Sequence, residues 1–263
     1  MLLGAGGVIG QGVLRAGAAA GHRVVAVGGD ARGLAQLRRK FAGADLVARS
    51  ASIVTERDAM RLAETLRRDG RPIAGVVDAM WGSPGRGRLI DHPTDTLRQA
   101  LDADLLPHLA AARHLIPLLA EHRRGGGYVL IGGPGSDAPW SSYGYRSVTA
   151  AALRMLARVL HEEAQPFDVR VQMLLVESPV RGAAPSTCHC PQWPTGEDVG
   201  RQALRLIARD FDARPARAVV YYGRHVDPAA LRTTSQGQRF SDVRSFLKSL
   251  TSADRNEVSD DTP

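Results

Sequence analysis

The feature that most constrains the fold is a glycine cluster at the start of the chain, Gly4-Ala5-Gly6-Gly7-Val8-Ile9-Gly10, set between the apolar run Met1-Leu2-Leu3 and a helical segment reaching Gly21. Glycines spaced this way let the backbone turn sharply, let amide N–H groups approach a pyrophosphate, and let a helix pack closely on the strand before it. The helix N-terminus adds unpaired N–H groups and the positive end of its dipole. The spacing reads G-x-G-x-x-x-G or G-x-x-G-x-x-G rather than G-x-G-x-x-G, so the context carries the assignment. Gly21-His22 closes the helix and Arg23-Val24-Val25-Ala26-Val27 follows as a buried strand, which completes the βαβ unit a dinucleotide site requires.

Downstream, apolar runs of strand length alternate with amphipathic segments of helix length. Strands are predicted at 45–49, 73–79, 128–131, 168–176 and 218–222, and helices at 34–41, 58–68, 94–119, 147–164 and 197–209. Pro107 predicts a kink in the long helix and Pro117 another near its end. This alternation implies an α/β chain with a doubly wound parallel sheet, a Rossmann-like three-layer α/β/α single domain over residues 1–230. Residues 231–263 form a C-terminal extension, with a helix expected at 241–250 and a Ser/Asp/Thr-rich disordered tail. Ligands are expected at the carboxyl ends of the strands, beside Asp78-Ala79-Met80-Trp81-Gly82, after Gly132 and after Val176.

Composition narrows the function classes. The chain has 263 residues with 44% hydrophobic content, enough for one sizeable core. A net charge of +7 and a pI near 10.1 invite a nucleic-acid reading. The arginines are however interspersed with acidic residues, and aromatics at 5% are too few for a base-stacking platform. No membrane span and no leader are evident, so a cytoplasmic protein is expected. Cys188 and Cys190 flank His189 without a second ligand cluster, so they read as free thiols and no metal site is expected.

The order of segments resembles the short-chain dehydrogenase/reductase family over nearly the whole chain to about Val226. The matching pieces are GAGGVIG, SIVTERDAM, IAGVVDAMWG, LDADLLPHLAAARHLIPLLAEHRRGGGYVLIGG, AALRMLARVLHEE, DVRVQMLLVESPV and GEDVGRQALRLI. The resemblance implies NAD or NADP held by Gly4, Gly6, Gly7, Val8, Ile9 and Gly10. Asp30 and Arg32 would lie at the adenosine ribose, Ser52 and Ile53 at the adenine, and Ala79 and Met80 at the end of the fourth strand. Asp30 suits the free ribose of NAD, while Arg32 or Arg23 suits a 2′-phosphate, and the preference stays open. It also implies a homodimer or homotetramer, packed through the long helix and the helix bearing Leu153, Leu156 and Leu160.

The family's proton relay is where the chain departs. A serine, a tyrosine and a lysine four residues later normally polarise the carbonyl and move the proton, and they match Gly133, Arg146 and Ala150 here. Tyr143 and Tyr145 flank the tyrosine position, but Lys40 and Lys248 are the only lysines and neither lies near this helix. The residues four after each tyrosine are Ser147 and Thr149, whose neutral hydroxyls cannot lower a phenol's pKa from about 10. Asp104 matches the family's helix asparagine. Two functions follow. One is an NAD(P)-dependent oxidoreductase acting on a small carbonyl or alcohol through a degenerate relay, with Tyr145 or Tyr143 as the acid, Arg146 as the nearby cation and Asp104 beside them. The other is a redox-inactive binder or scaffold, or a dehydratase or cyclase. Trp81 and Trp140 read as loop-packing residues or pocket walls, and His108 and His114 as surface or interface residues rather than bases.

Overall fold

Each apolar run identified above becomes a strand, and each amphipathic segment a helix laid antiparallel across the sheet. A computed structural model of the protein describes residues 1–82, 87–121, 126–182, 192–208 and 217–223. The strands are β1 (Leu2–Leu3), β2 (Val24–Gly28), β3 (Leu46–Ser50), β4 (Gly75–Asp78), β5 (Gly126–Gly132), β6 (Val169–Leu175) and β7 (Val219–Tyr221). The helices are α1 (Val8–Ala19), α2 (Ala31–Lys40), α3 (Glu56–Arg68), α4 (Thr94–Asp104), α5 (Leu106–Ala120), α6 (Gly144–Glu163) and α7 (Gly196–Ala208). All pairings are parallel, in the order β3-β2-β1-β4-β5-β6-β7. The chain winds outward from β1 in both directions, so the crevice between β1 and β4 is the topological switch point where ligands of such sheets bind.

Successive strand residues serve opposite cores. Leu3, Val76, Tyr128 and Leu130 pack with α3, α5 and α6. Their neighbours Leu2, Val77, Val129 and Ile131 pack with α1, α2 and α7. This two-sided burial explains why the central strands read as continuous apolar runs. On the second face α1 and α7 meet through glycines: a Cβ on Gly12 would overlap the backbone of Gly196, and one on Gly200 would lie 2.7 Å from the Gly12 carbonyl.

The first strand is as short as its sequence implies. Leu2 and Leu3 pair with Ala26 and Val27 on one side and with Val77 and Asp78 on the other. Val24, Val25, Gly75 and Val76 extend past it, and a groove of about 420 Å³ opens at that amino-terminal edge.

Two expectations are corrected. The long helix at 94–119 is two helices, separated at Leu105, whose backbone leaves the helical range (φ −120°, ψ −52°). Pro107 falls in the first turn of α5, where its missing N–H costs nothing, so the chain breaks just before it rather than bending at it. Pro117 is carried inside α5 without ending it. The break also turns the expected leucine stripe: Leu115 is buried, Leu109 is exposed, and α4 buries no residue fully. On α6, Leu153 and Leu160 belong to the core, the sheet packing that such a stripe also fits, while Val148, Met155 and Val159 are exposed.

The described residues within Met1–Pro185 and Pro191–Tyr222 form one compact unit. Cys188, His189, Cys190 and the helix expected at 241–250 lie outside the described residues, as does the tail.

Candidate active site

At the switch point the glycine loop adopts the geometry that its composition requires. Gly4 sits at φ +74°, and a Cβ there would overlap Ala79 O and lie 2.8 Å from Met80 N. A side chain on Gly10 would collide with the Gly4 carbonyl and lie 2.9 Å from Ala5 Cα, so this glycine seats α1 against the loop. Gly7 is the residue before α1, extended at φ −72° and ψ 168°, and no side chain among the described residues caps the helix end. Among the described residues nothing lies within 4 Å above Gly6, and above Gly7 only the Gly4 carbonyl at 3.7 Å. Open backbone at an uncapped helix N-terminus, with Val8 and Ile9 in its first turn, fits a pyrophosphate. Gln11 Nε2 donates to Gly6 O at 3.1 Å and Lys40 Nζ donates to Gln11 Oε1 at 2.7 Å, bracing the loop from the side.

At the adenosine end, Asp30 caps α2, its carboxylate accepting from Arg32 N–H at 2.9 Å and Gly33 N–H at 3.0 Å. Each oxygen keeps a lone pair for a ribose hydroxyl. Arg32 is exposed in the first turn of α2. Ser52 Oγ accepts from Val54 N–H at 3.3 Å, while Ile53 is buried in the core. Arg23 is corrected: it precedes β2, on the opposite edge of the sheet, and faces Asp45 at 3.7 Å. It therefore cannot receive a 2′-phosphate.

Between β4, β5, α4, α5 and α6 lies a small cavity of about 20 Å³. Trp81, Asp104, His108 and Arg146 supply its polar and aromatic wall, and Gly133, Ala150 and Leu153 line it as well. The Arg146 guanidinium carbon lies 3.6 Å from the centroid of the Trp81 ring, a cation–π stack. A Cβ on Gly133 would overlap Trp81 Cη2. The indole thus fills the space a serine would need there, which accounts for the glycine. Burial lowers the Arg146 pKa from its usual value to about 10, and the charge of Asp104 partly opposes the fall. Arg146 Nε and Asp104 Oδ1 are buried without a hydrogen-bond partner among the described residues.

Neither tyrosine is on this wall. Tyr143 stacks on Trp140, with ring centroids 4.4 Å apart. Tyr145 packs edge-on to His92 at 5.6 Å, and its buried hydroxyl has no partner among the described residues. The hydroxyls four residues on are committed to the backbone: Ser147 Oγ accepts from Trp140 N–H and donates to Tyr143 O, and Thr149 Oγ1 donates to Arg146 O. Of the four residues expected to carry the relay, the cavity brings together Arg146 and Asp104 only.

His108 was expected at the surface and is instead 2% exposed. Its Nδ1 lies 2.8 Å from Asp78 Oδ2, which also accepts from the Tyr128 hydroxyl at 3.0 Å, while Met80 N–H donates to Oδ1 at 3.2 Å. Burial first, and then the adjacent Asp78, raise the Tyr128 pKa well above 10, so it remains a donor. The signal for this network was the aspartate closing the buried run Gly75-Val76-Val77. A carboxylate there must find donors, and a histidine 30 residues on supplies one. His114, half-buried, bonds Glu56 at 2.8 Å.

A parallel sheet with a glycine loop at its switch point and a cavity at the carboxyl ends of β4 and β5 defines a dinucleotide-fold protein. A family model described as enoyl-(acyl carrier protein) reductase matches residues 4–185, and the chain belongs to the short-chain dehydrogenase/reductase family. Solved structures agree on the fold. A short-chain dehydrogenase/reductase from Mycobacterium ulcerans is 20% identical with a TM-score of 0.73, over 84% of this chain and 86% of that one. A short-chain dehydrogenase from Streptomyces avermitilis is 22% identical with a TM-score of 0.68, over 98% and 94%. An NADPH-bound short-chain oxidoreductase from Pseudomonas aeruginosa PAO1 with an atypical catalytic centre is 18% identical with a TM-score of 0.67, over 78% and 88%. No curated protein matches the sequence. No helix among the described residues is long and apolar enough to cross a membrane.

Proposed function

We propose that the protein is an NAD(P)-dependent oxidoreductase acting on a small carbonyl or alcohol, with a proton relay rebuilt around the cavity rather than around Tyr143 or Tyr145. The observation that carries this reading is Arg146, a buried cation held on Trp81 in a cavity beside a glycine loop that keeps its open backbone. Bound there, the nicotinamide dinucleotide supplies or accepts hydride. Gly6, Gly7 and the first turn of α1 hold the pyrophosphate, Asp30 or Arg32 the adenosine ribose, and the Trp81 ring covers one wall of the substrate site. Calorimetric titration with NADH and NADPH tests the reading: saturable binding of either supports it, and binding of neither overturns it. A screen of small carbonyls then separates the relays. Turnover that survives in Tyr145→Phe and is lost in Arg146→Ala supports the cavity, whereas loss in Tyr145→Phe restores the tyrosine.

One observation favours a second reading, a redox-silent family member. The Trp81 indole stands where the family's carbonyl-polarising serine would project from position 133. Tight dinucleotide binding with no turnover of any carbonyl or alcohol would select it.

A further inference from the structure

Lys40 is the only lysine among the described residues, and it is drawn to the glycine loop. It is the last residue of α2, and its Nζ donates to Gln11 Oε1 at 2.7 Å, while Gln11 Nε2 donates to the Gly6 carbonyl at 3.1 Å. Two hydrogen bonds therefore separate a full positive charge from the loop. No carboxylate competes for it. The ten residues of α2 include Arg32, Arg38, Arg39 and Lys40, α1 includes Arg15, and neither helix contains an aspartate or glutamate. The carboxylates that flank α2 are engaged elsewhere: Asp30, at the opposite end, accepts from the Arg32 and Gly33 N–H groups, and Asp45 faces Arg23. An exposed ammonium gains little from an amide oxygen, because no charge is neutralised and a flexible four-carbon stem is held in one geometry. What the contact supplies is position, beside backbone that is open at Gly6.

We infer that Lys40 is the counter-charge for a phosphate of the bound dinucleotide, with Gln11 holding its ammonium beside Gly6 until the ligand arrives. The inference rests on the dinucleotide reading and adds a binding side chain to a site otherwise made of backbone. Free N–H groups and the dipole of α1 offer partial charges only, whereas each phosphoryl group carries a full negative charge. Lysine suits that task as a compact point charge on a mobile stem, able to leave Gln11 and meet a phosphoryl oxygen without a fixed fork geometry. The phosphate is either the pyrophosphate common to both dinucleotides or the 2′-phosphate of NADPH.

Calorimetric titration of the whole chain with NADH and NADPH is the first arm, and binding of neither by the wild type retires the dinucleotide reading together with this inference. Where the wild type binds, Lys40→Met is expected to bind roughly tenfold more weakly and Lys40→Arg within about threefold of wild type. Equal losses for NADH and NADPH assign the pyrophosphate, and a loss confined to NADPH assigns the 2′-phosphate; both support the inference. Unchanged affinity of Lys40→Met for both overturns it and leaves the dinucleotide reading standing. The second arm separates charge from bracing of the loop. Gln11→Ala removes the brace and keeps the ammonium, so it should lose less affinity than Lys40→Met, and a loss as large as that in Lys40→Met overturns the inference. Added salt should weaken binding more steeply in wild type than in Lys40→Met, and parallel salt dependences overturn it as well.

Discussion

Trp81 decides the chemistry of its neighbourhood by volume. Its ring lies against Gly133 and under Arg146, so restoring the family's serine by Gly133→Ser forces the indole aside. The expected cost is about 1–3 kcal/mol, as for other overpacked sites, and Trp81→Ala in the same chain should remove most of it. Chemical denaturation of the two singles and the double measures that coupling, and additive losses would show that the clash is not the cause. Arg146 makes an opposite case. Its pKa falls from the usual guanidinium value to about 10 chiefly by burial, so folding disfavours its charged form. For a base with a lowered folded-state pKa that penalty is complete at every pH below about 10 and fades only as the pH climbs toward the usual guanidinium pKa. Its size is about 3 kcal/mol, against the ~0.5–2 kcal/mol of a cation–π contact. Arg146→Met is therefore expected to hold or raise the Tm at neutral pH, and a fall of several degrees would contradict it. Arg146 and Asp104 could be named from the chain by matching them to the family's tyrosine and asparagine. His108 could not, since its burial depends on Asp78 and Tyr128, which come from two strands far away in sequence.

Among the elements, α1 serves two partners through two kinds of glycine. Gly12 is inside the helix, where alanine normally gains about 1 kcal/mol. A Cβ there would overlap the backbone of Gly196, which has no rotamer with which to yield, so the clash outweighs the propensity. Gly12→Ala is expected to destabilise by about 3 kcal/mol or more. Gly6→Ala meets nothing within 4 Å and should leave the Tm unchanged, yet its methyl occupies the face a pyrophosphate approaches. Dinucleotide affinity should fall at least roughly tenfold, about 1.4 kcal/mol. The two variants, compared by thermal melts and calorimetry, separate scaffold from site. An unchanged affinity in Gly6→Ala would mean that the loop is only a turn. The break between α4 and α5 was foreshadowed by Pro107, but its effect on which leucines face outward was not. Periodicity extrapolated across Leu105 assigns Leu109 to the wrong side.

For the whole molecule, the sheet order puts the loop, the capped start of α2 and the cavity along one carboxyl edge. One ligand spanning them should stabilise the fold by mass action, about 2.7 kcal/mol at a hundredfold excess over its Kd, seen as a dose-dependent rise in Tm. Outward on α6, Val148, Met155 and Val159 are 36%, 55% and 43% exposed and are seven and four residues apart, one helical face. This face, with Leu109 of α5 also exposed, is the surface through which a homodimer is expected to form. Val159→Asp should convert it to monomer in sedimentation, and an unchanged sedimentation coefficient would assign the face elsewhere.

The chain by itself determined the α/β class, the order of strands and helices, the glycine loop and the loss of the serine, tyrosine and lysine. These follow from local properties: apolar runs of strand length, glycine's missing Cβ, and residue identity at matched positions. Only the tertiary structure decided that Trp81 replaces the serine in space, that both tyrosines turn away from the cavity, and that Asp78 and Tyr128 draw His108 inside. Each of these depends on which atoms from distant segments share a volume or a proton, and no window of sequence contains both partners.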